Sequence, residues 1–409
     1  MNPAASARAT AGAAAGPGPG RQALSSAARW DAWAWRALAL ALVACAGAML
    51  TAPLRDGVRL PAEPQGASAA PAAQGRQPPR FGIPEPPRRA PGAVRVASWN
   101  LQDLFLWPES PSDARRASAA LPKPDDELHA AARVIRALDA DVLALQEVGS
   151  LQELEAFRDR YLAGMGYAHA ASLDVGDARG IEQAVLSRFP LGGATVWPDA
   201  QIGGVHPQHW GPQRHQLAGQ PVRFRRGPLR VLVDLPADKT APRDPSGLIL
   251  YVVHQKSGPA GAYWRRAEAT ATAALAAQDA RDHPRAHVLV LGDFNAQPSE
   301  PGRLEYDPTL WLDPFGELPQ SDPIAITHAS GRRIDGVLIW HASGAIAAPG
   351  AAFVLGAPAA ALANPEPSSA DPHERVVGVW GQGPAGWASD HLPVAVDITP
   401  APRRGDAPE

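Results

Sequence analysis

The chain has 409 residues, 45% of them hydrophobic, with 38 Lys and Arg against 41 Asp and Glu. That supplies enough apolar mass for a large core, and the near-zero balance excludes a chain that grips nucleic acid by bulk charge alone, while a local basic groove is still allowed. The 44 prolines and 38 glycines are in excess, and much of that excess falls before residue 93.

The N-terminal part divides in two. Residues 1–36 are small and polar with scattered arginines, and Ala37 to Leu50, ALALALVACAGAML, is entirely apolar or small. A membrane helix needs about 20 such residues, so the run suits the h-region of an export signal. Leu42-Val43-Ala44-Cys45 resembles the lipobox of bacterial lipoproteins, in which the cysteine is lipidated; Cys45 is the chain's one cysteine and has no internal disulfide partner. Ordinary cleavage a few residues later and a short uncleaved anchor are the competing readings. The expectation is an exported protein, either a cell-envelope lipoprotein or a secreted one. Residues 51–92 carry proline at short intervals and almost no periodic apolar pattern, a composition that reads as a disordered tether. The expected organisation is a signal or anchor over 1–50, a linker over 51–92, a folded domain over 93–399 and a tail over 400–409.

From Val94 short apolar runs begin, each ending in a polar group. Val94 to Ser98 alternates as a strand and runs into Trp99-Asn100. Asp125 to Ala140 sets Leu128, Ala131, Ile135 and Leu138 on one helical face, with acidic residues at its start where the dipole favours them. Val142 to Leu145 is a strand followed by Gln146 and Glu147, and Ser150 with Glu153 has the capping-box spacing that opens another helix. This alternation predicts an α/β domain with layered sheets. Further strands are predicted at Gln183–Leu186, Leu229–Val233, Leu248–Val253, Val288–Leu291, Arg333–Trp340 and Pro393–Ile398. Ala262–Asp282, rich in alanine with no internal Gly or Pro, predicts a helix without chemistry of its own. Trp197 to Pro228, with His206, His209, His215 and RFRRG, reads as a loop whose arginines either meet substrate phosphates or form a solvated face. A second loop, Gly356 to Gly386, carries Trp380 and leads to Trp387; such rings either stack on a base, rest on a lipid interface or cover the core.

The polar endings are Asn100, Glu147, His254, Asp293, Asn295, Asp335 and the pair Asp390-His391. Taken singly, most have a plain structural reading: Asn100, Asp293 and Asn295 cap turns, Glu147 is the surface end of a strand, and His254 is a satisfied core imidazole. Asp335, inside an apolar strand, needs a partner such as a protonated histidine or an arginine. Several carboxylates at one sheet end are explained together by a shared cation and paired histidines.

Read together, SWN, LALQEV, GIEQAVLSRFP, VVHQKSG, LVLGDFNAQP, RRIDGVLI and SDHLPV resemble, in order, the motifs of the endonuclease/exonuclease/phosphatase family, over about residues 94–399. Its members include pancreatic-type deoxyribonucleases, abasic-site nucleases, inositol polyphosphate phosphatases and bacterial sphingomyelinases. The resemblance implies a four-layer α/β/β/α sandwich with two packed mixed sheets and a site at one end of them. It implies that Glu147 is the main metal-holding carboxylate, supported by Asn100 and by Asp390. His254 donates to a phosphate oxygen or acts near the leaving group, and Asp293 and Asn295 orient the attacking water and the phosphate. His391 is general base or phosphate binder, with Asp335 fixing its tautomer. Glu182 lies where some nucleases of the family pair a carboxylate with the first catalytic histidine. Mg²⁺, or Mn²⁺, suits such oxygen ligands, and zinc is disfavoured because the one cysteine lies in the signal region.

The expected activity is thus metal-dependent hydrolysis of phosphodiesters, in first place by a monomeric extracytoplasmic endonuclease acting on nucleic acid. The alternative keeps the site but acts on a phospholipid or small phosphoester, as a sphingomyelinase or phosphatase does. A tethered binding domain without turnover is the third reading, against which the intact polar set speaks. Membrane attachment is expected only through the N-terminal lipid or anchor.

Overall fold

A computed structural model describes residues 80–106, 122–235, 247–284, 286–341, 346–356 and 388–399. The apolar run with Cys45, the tether as far as residue 79, Trp380, Trp387 and the tail lie outside the described residues. No helix among the described residues is long and apolar enough to cross a membrane.

In chain order the elements are β1 (Val94–Leu104), α1 (Asp125–Leu138), β2 (Val142–Val148), α2 (Leu151–Tyr161), β3 (His169–Leu173), β4 (Glu182–Ser187) and β5 (Leu191–Thr195). Four short strands follow, β6 (Gln201–Val205), β7 (His209–Trp210), β8 (Gln213–Arg214) and β9 (Pro221–Arg223), then β10 (Leu229–Val233) and β11 (Leu248–His254). The chain continues through α3 (Ala262–Asp282), β12 (His287–Asp293), β13 (Trp311–Leu312), β14 (Asp335–Trp340), β15 (Ile346–Val354) and β16 (Val394–Thr399).

Two six-stranded sheets form, in the orders β15-β16-β1-β2-β4-β3 and β13-β14-β12-β11-β10-β5. Each has one parallel pair at its centre, β1 with β2 and β11 with β12, and antiparallel neighbours elsewhere. The parallel pairs need crossovers, which α1 and α3 provide. Alternate residues of the central strands point to opposite faces, and both faces are covered. Val94, Val96, Val142 and Ala144 meet Leu248, Leu250, Leu289 and Leu291 between the sheets. Ala97, Trp99, Leu143 and Leu145 pack under α1 and α2, and Ile249, Tyr251, Val288 and Val290 pack under α3. The predicted α/β/β/α layering is therefore what the chain forms, and burial on both faces is why its central strands read as continuous apolar runs.

α1 stops two residues earlier than its pattern suggests, because Asp139 turns left-handed (φ 48°) and its N–H closes onto Ile135 O. At α2, Ser150 Oγ accepts from Glu153 N at 3.2 Å, as expected of the cap, but the Glu153 carboxylate reaches Leu106 N at 3.0 Å and so ties the helix to the end of β1. Two stretches depart from the sequence reading. Residues 80–92, assigned by composition to the tether, lie against the domain: Ile83 N bonds Val354 O, and Arg89 Nη1 bonds Asp141 Oδ2 at 2.6 Å. Trp197 to Pro228 is not a plain loop but holds two small sheets, β6 with β9 and β7 with β8. Their strands are too short and glycine-interrupted to show alternation.

Asn100, Glu147, His254 and Asp293 fall within their strands instead of after them, one or two residues beyond the apolar runs. Parallel pairing puts the C-terminal ends of β1 and β2, and of β11 and β12, at one edge. The antiparallel β14 begins at that edge, with Asp335 in register with Asp293. Gly292 permits this close approach: its φ is +142°, and a Cβ there would lie 2.0 Å from Val253 O. Gly292→Ala is expected to lower stability by roughly 2–4 kcal/mol through separation of β11 from β12. Urea denaturation measures this, and an unchanged midpoint would rule out the steric account.

Candidate active site

Asp293, 2% exposed, is the point on which the two sheets converge. Its Oδ2 accepts from Asn100 Nδ2 at 3.2 Å and from Asn295 Nδ2 at 3.0 Å, and its Oδ1 accepts from Asn295 N at 2.8 Å. Asn295 adopts a left-handed conformation (φ 49°) that folds its side chain back. The plain reading of Asp293 as a turn cap is therefore correct, and the same carboxylate also faces two imidazoles, His254 Nε2 at 3.5 Å and His391 Nε2 at 3.9 Å. Burial raises Asp293 to about 6, with Asp335 adding to the rise while His391 and the amide donors oppose it.

His391 is held from several sides. Its Nδ1 bonds the Asp335 carboxylate at 2.9 Å, its N–H donates to Ser389 Oγ, and its carbonyl accepts from Trp99 Nε1 at 3.0 Å. Asp335 is the buried strand carboxylate that required a partner, and His391 is that partner. Burial opposes charge on the ring, but Asp335, Asp293 and Asp390 outweigh it and lift His391 to about 10. His254 behaves oppositely: burial and the nearby Arg226 and Arg179 hold it well below its ordinary value. The two imidazoles beside Asp293 Oδ2 are thus biased in opposite directions, His391 toward the cation and His254 toward the neutral form.

Glu147 sits at a bulge, where the pairing of β2 with β4 shifts between Gln146 and Val148, and its φ is +62°. The bulge turns the side chain into the site, where its oxygens take Arg179 Nη2 at 2.9 Å and Asp103 N at 3.2 Å, with His254 Nε2 at 3.6 Å. The resemblance paired Glu182 with His254. In the structure the carboxylates facing His254 Nε2 are Glu147 and Asp293, and Glu182 accepts the Ser172 hydroxyl. Asp390 is half-exposed and lies 3.8 Å from His391 Nε2. Of the sequence-predicted residues, Asn100, Glu147, His254, Asp293, Asn295, Asp390 and His391 line one cavity of about 500 Å³, with Asp335 directly behind His391. A larger cavity, about 730 Å³, opens beside β13 and β14, where Arg303 and Arg333 both bond Asp313 Oδ2. Size alone does not select the site.

Sequence reasoning missed several participants. Asp177, buried, receives Arg226 Nε at 2.9 Å, while Arg226 Nη1 donates to the carbonyls of His254 and Gln255. His328 accepts Ser330 N on Nδ1, which leaves its proton on Nε2, 3.3 Å from Asp390 Oδ2. Neither position ends a long apolar run, so periodicity gave no signal; polarity inside a motif-rich stretch was the only hint. The helix α3, read as free of chemistry, supplies Glu268, whose two oxygens accept Arg225 N at 2.9 Å and Lys256 N at 2.8 Å.

The donors suit a hard divalent cation: carboxylates of Glu147, Asp293 and Asp390, the amide of Asn100, imidazoles at the margin and no thiolate. Two triads, His328-Asp390-His391 and Asp293-Asp335-His391, offer ligand atoms within 4.8 Å of one another. Carboxylates and histidines at the strand ends of a two-sheet sandwich, beside four cationic side chains in the same cavity, define a metal-dependent phosphoester hydrolase. A sequence profile places the lineage: residues 97–391 match the Endonuclease/Exonuclease/phosphatase family, and the chain belongs to it. Among solved structures it is similar to the human Nocturnin catalytic domain with bound sulfate anion, at 17% identity and a TM-score of 0.47, covering 79% of this chain and 99% of that one. It is also similar to a humanized D. rerio TDP2 (14% identity, TM-score 0.45, 75% and 99% covered). A third likeness is to a Bacteroides thetaiotaomicron mannosyl-6-phosphatase (14%, 0.44, 75% and 99%). No curated protein matches in sequence.

Burial raises Glu268 to about 7, against the pull of its two backbone donors and of Arg226 and Lys256. The folded protein therefore holds this proton more tightly than the unfolded chain, and stability falls as pH rises from about 4.5 to about 7. Glu268→Gln is expected to remove that slope. Urea denaturation across the window checks it, and an identical slope in the variant contradicts the assignment.

Proposed function

We propose that the protein is a Mg²⁺-dependent phosphodiesterase, Mn²⁺ also serving, and in first place an endonuclease that acts on nucleic acid outside the cytoplasm. The observation that carries this reading is the placement of two histidines on one buried carboxylate, His254 Nε2 at 3.5 Å and His391 Nε2 at 3.9 Å from Asp293 Oδ2, with Asp335 bonded behind His391. Glu147, Asp390 and Asn100 are the residues that would hold the cation, which when bound neutralises charge on the phosphoryl oxygens. Asp293, lifted toward neutrality yet still basic, accepts the proton of the attacking water on a carboxylate oxygen. His254 Nε2 positions water and phosphate by hydrogen bonding, and Asn295 Nδ2, which donates to Asp293 Oδ2 and to Gln255 O, orients the carboxylate that takes the proton. His391, kept protonated by Asp335, binds a phosphate oxygen as a cation and stabilises the charge that develops there. The bond from its Nδ1 to the Asp335 carboxylate supports the role of phosphate binder.

Arg179, Arg225, Arg226 and Lys256 in the cavity lining support a polyanionic substrate in spite of the neutral overall charge. Export rests on the apolar run Ala37–Leu50, and lipidation on Cys45 after Leu42-Val43-Ala44. Hydrolysis of a phospholipid or small phosphoester by the same residues is the second reading, since nothing in the catalytic chemistry depends on the leaving group being a nucleotide.

The test is hydrolysis of plasmid DNA, RNA, sphingomyelin and inositol phosphates by the purified protein, with Mg²⁺ or with EDTA. Nicking of DNA that EDTA abolishes, and that His391→Ala lowers by a factor on the order of 10² to 10³, is the expected result. Turnover confined to a lipid or inositol phosphate would replace the substrate. Full activity in EDTA would overturn the metal dependence. For location, a lipid-dependent mass increase that Cys45→Ser removes is expected of the envelope protein; its absence returns the choice to secretion or an uncleaved anchor.

A further inference from the structure

Lys256 lies just past the end of β11 and lines the same cavity as His254 and His391. Its ammonium donates to the carbonyl of Ser257 at 2.7 Å and sits 5.1 Å from the centre of the Trp210 ring. Burial lowers its pKa, and the next influences in order are Arg226 and Arg225, so its immediate field is positive. Arg225 Nη2 is 3.6 Å from Asp177 Oδ2, an oxygen already taken by Arg226 Nε at 2.9 Å. Arg179 is engaged by Glu147. The carboxylates beside Lys256 and Arg225 are therefore Asp177, held by Arg226, and Glu268, whose oxygens serve backbone N–H groups. This part of the cavity carries more positive than negative charge, fixed in place before any ligand arrives.

The fixing is elaborate for a surface lysine. Glu268 receives the backbone N–H groups of both Lys256 and Arg225, and so sets the two chain segments side by side. The β7–β8 hairpin brings Trp210 to Lys256. That hairpin is fastened to the start of α3 by Tyr263, whose hydroxyl meets His206 Nδ1 at 2.6 Å and His215 Nε2 at 3.0 Å. Trp210 packs edge-on against His215 and Trp264. A cation on an aromatic face keeps its charge while losing rotamer freedom, which preorganises it for an anion.

We propose that Lys256 and Arg225 hold a second phosphate of the substrate, so that the cavity prefers ligands with two phosphates over those with one. This rests on the phosphodiesterase reading above and goes beyond it in naming the recognised unit. An ammonium supplies a point charge and a guanidinium a planar fork, a combination suited to phosphate oxygens. Nucleic acids present such a phosphate next to every scissile one. A lipid phosphodiester with a single phosphate does not. His206 and His215 then have a structural task, holding Trp210 beside Lys256.

The test is equilibrium binding by calorimetry, in EDTA so that no turnover occurs, of thymidine 3′,5′-bisphosphate and thymidine 5′-monophosphate. The expected result is a preference of about tenfold for the bisphosphate that falls with added salt. It should be largely lost in Lys256→Met and in Arg225→Gln, and reduced in Trp210→Leu, with circular dichroism showing each variant folded. Equal binding of the two ligands, or a preference that survives both cation substitutions, overturns the proposal. Hydrolysis of the 4-nitrophenyl ester of thymidine 5′-phosphate in Mg²⁺ is measured in parallel. Its failure would count against the phosphodiesterase reading and leave the binding comparison decisive for the second phosphate.

Discussion

A buried carboxylate imposes its needs on everything near it, and Asp293 is that group here. Burying the charge alone would cost several kcal/mol, so the surrounding chain is arranged to meet it. Asn100 reaches it from the first sheet and Asn295 from the turn that follows β12. Two imidazoles lie within 4 Å of one of its oxygens. Gly292 is required one residue earlier because the strand carrying Asp293 runs too close to Val253 for any side chain. The packing of the two sheets and the layout of the site are thus one constraint, expressed in different residues.

A second layer of charge holds that arrangement in place. Asp335 stands behind His391, and its own N–H is bonded to Thr327 Oγ1, so the imidazole is oriented by a carboxylate that is itself fixed. On the other flank, Asp177 and Arg226 join the β3–β4 connection to the end of β11. The opposite displacement of the two histidine pKa values follows from these neighbours. His391 looks onto carboxylates, whereas His254 looks onto guanidinium groups as well. Identical side chains on one carboxylate are thus biased toward different charge states.

The excursion between β5 and β10 is small in area but tied into the same network. Its arginines enter the cavity lining, and its histidines secure Trp210 against α3 and Lys256. A helix of mostly small residues contributes a single glutamate that aligns the two cationic segments. Family membership sets the phosphoester chemistry; these peripheral elements place the cations of the cavity wall.

Much of this was legible in the sequence. Apolar runs such as Leu248–Val253 and Val288–Leu291 specify central strands because both of their faces are buried, and the helix over Ala262–Asp282 follows from composition alone. The order of the polar residues that end those runs, from Asn100 to His391, and the resemblance it carries pointed to side chains that the fold gathers around one cavity. Partnerships were not legible. Glu147 faces His254 and Arg179, and Glu182 faces Ser172, because a one-residue bulge turns a side chain in a way that periodicity cannot encode. Asp177, Glu268 and His328 stayed hidden because each acts through contacts distant in sequence, and a lone polar residue has the same local pattern whether it is solvated or holds a loop. The sequence by itself determined which layers form and which residues reach the edge of the sheets, as both depend on local hydrophobic pattern. Only the tertiary structure decided which carboxylate meets which cation and which histidine is charged, as these depend on distances between segments far apart in the chain.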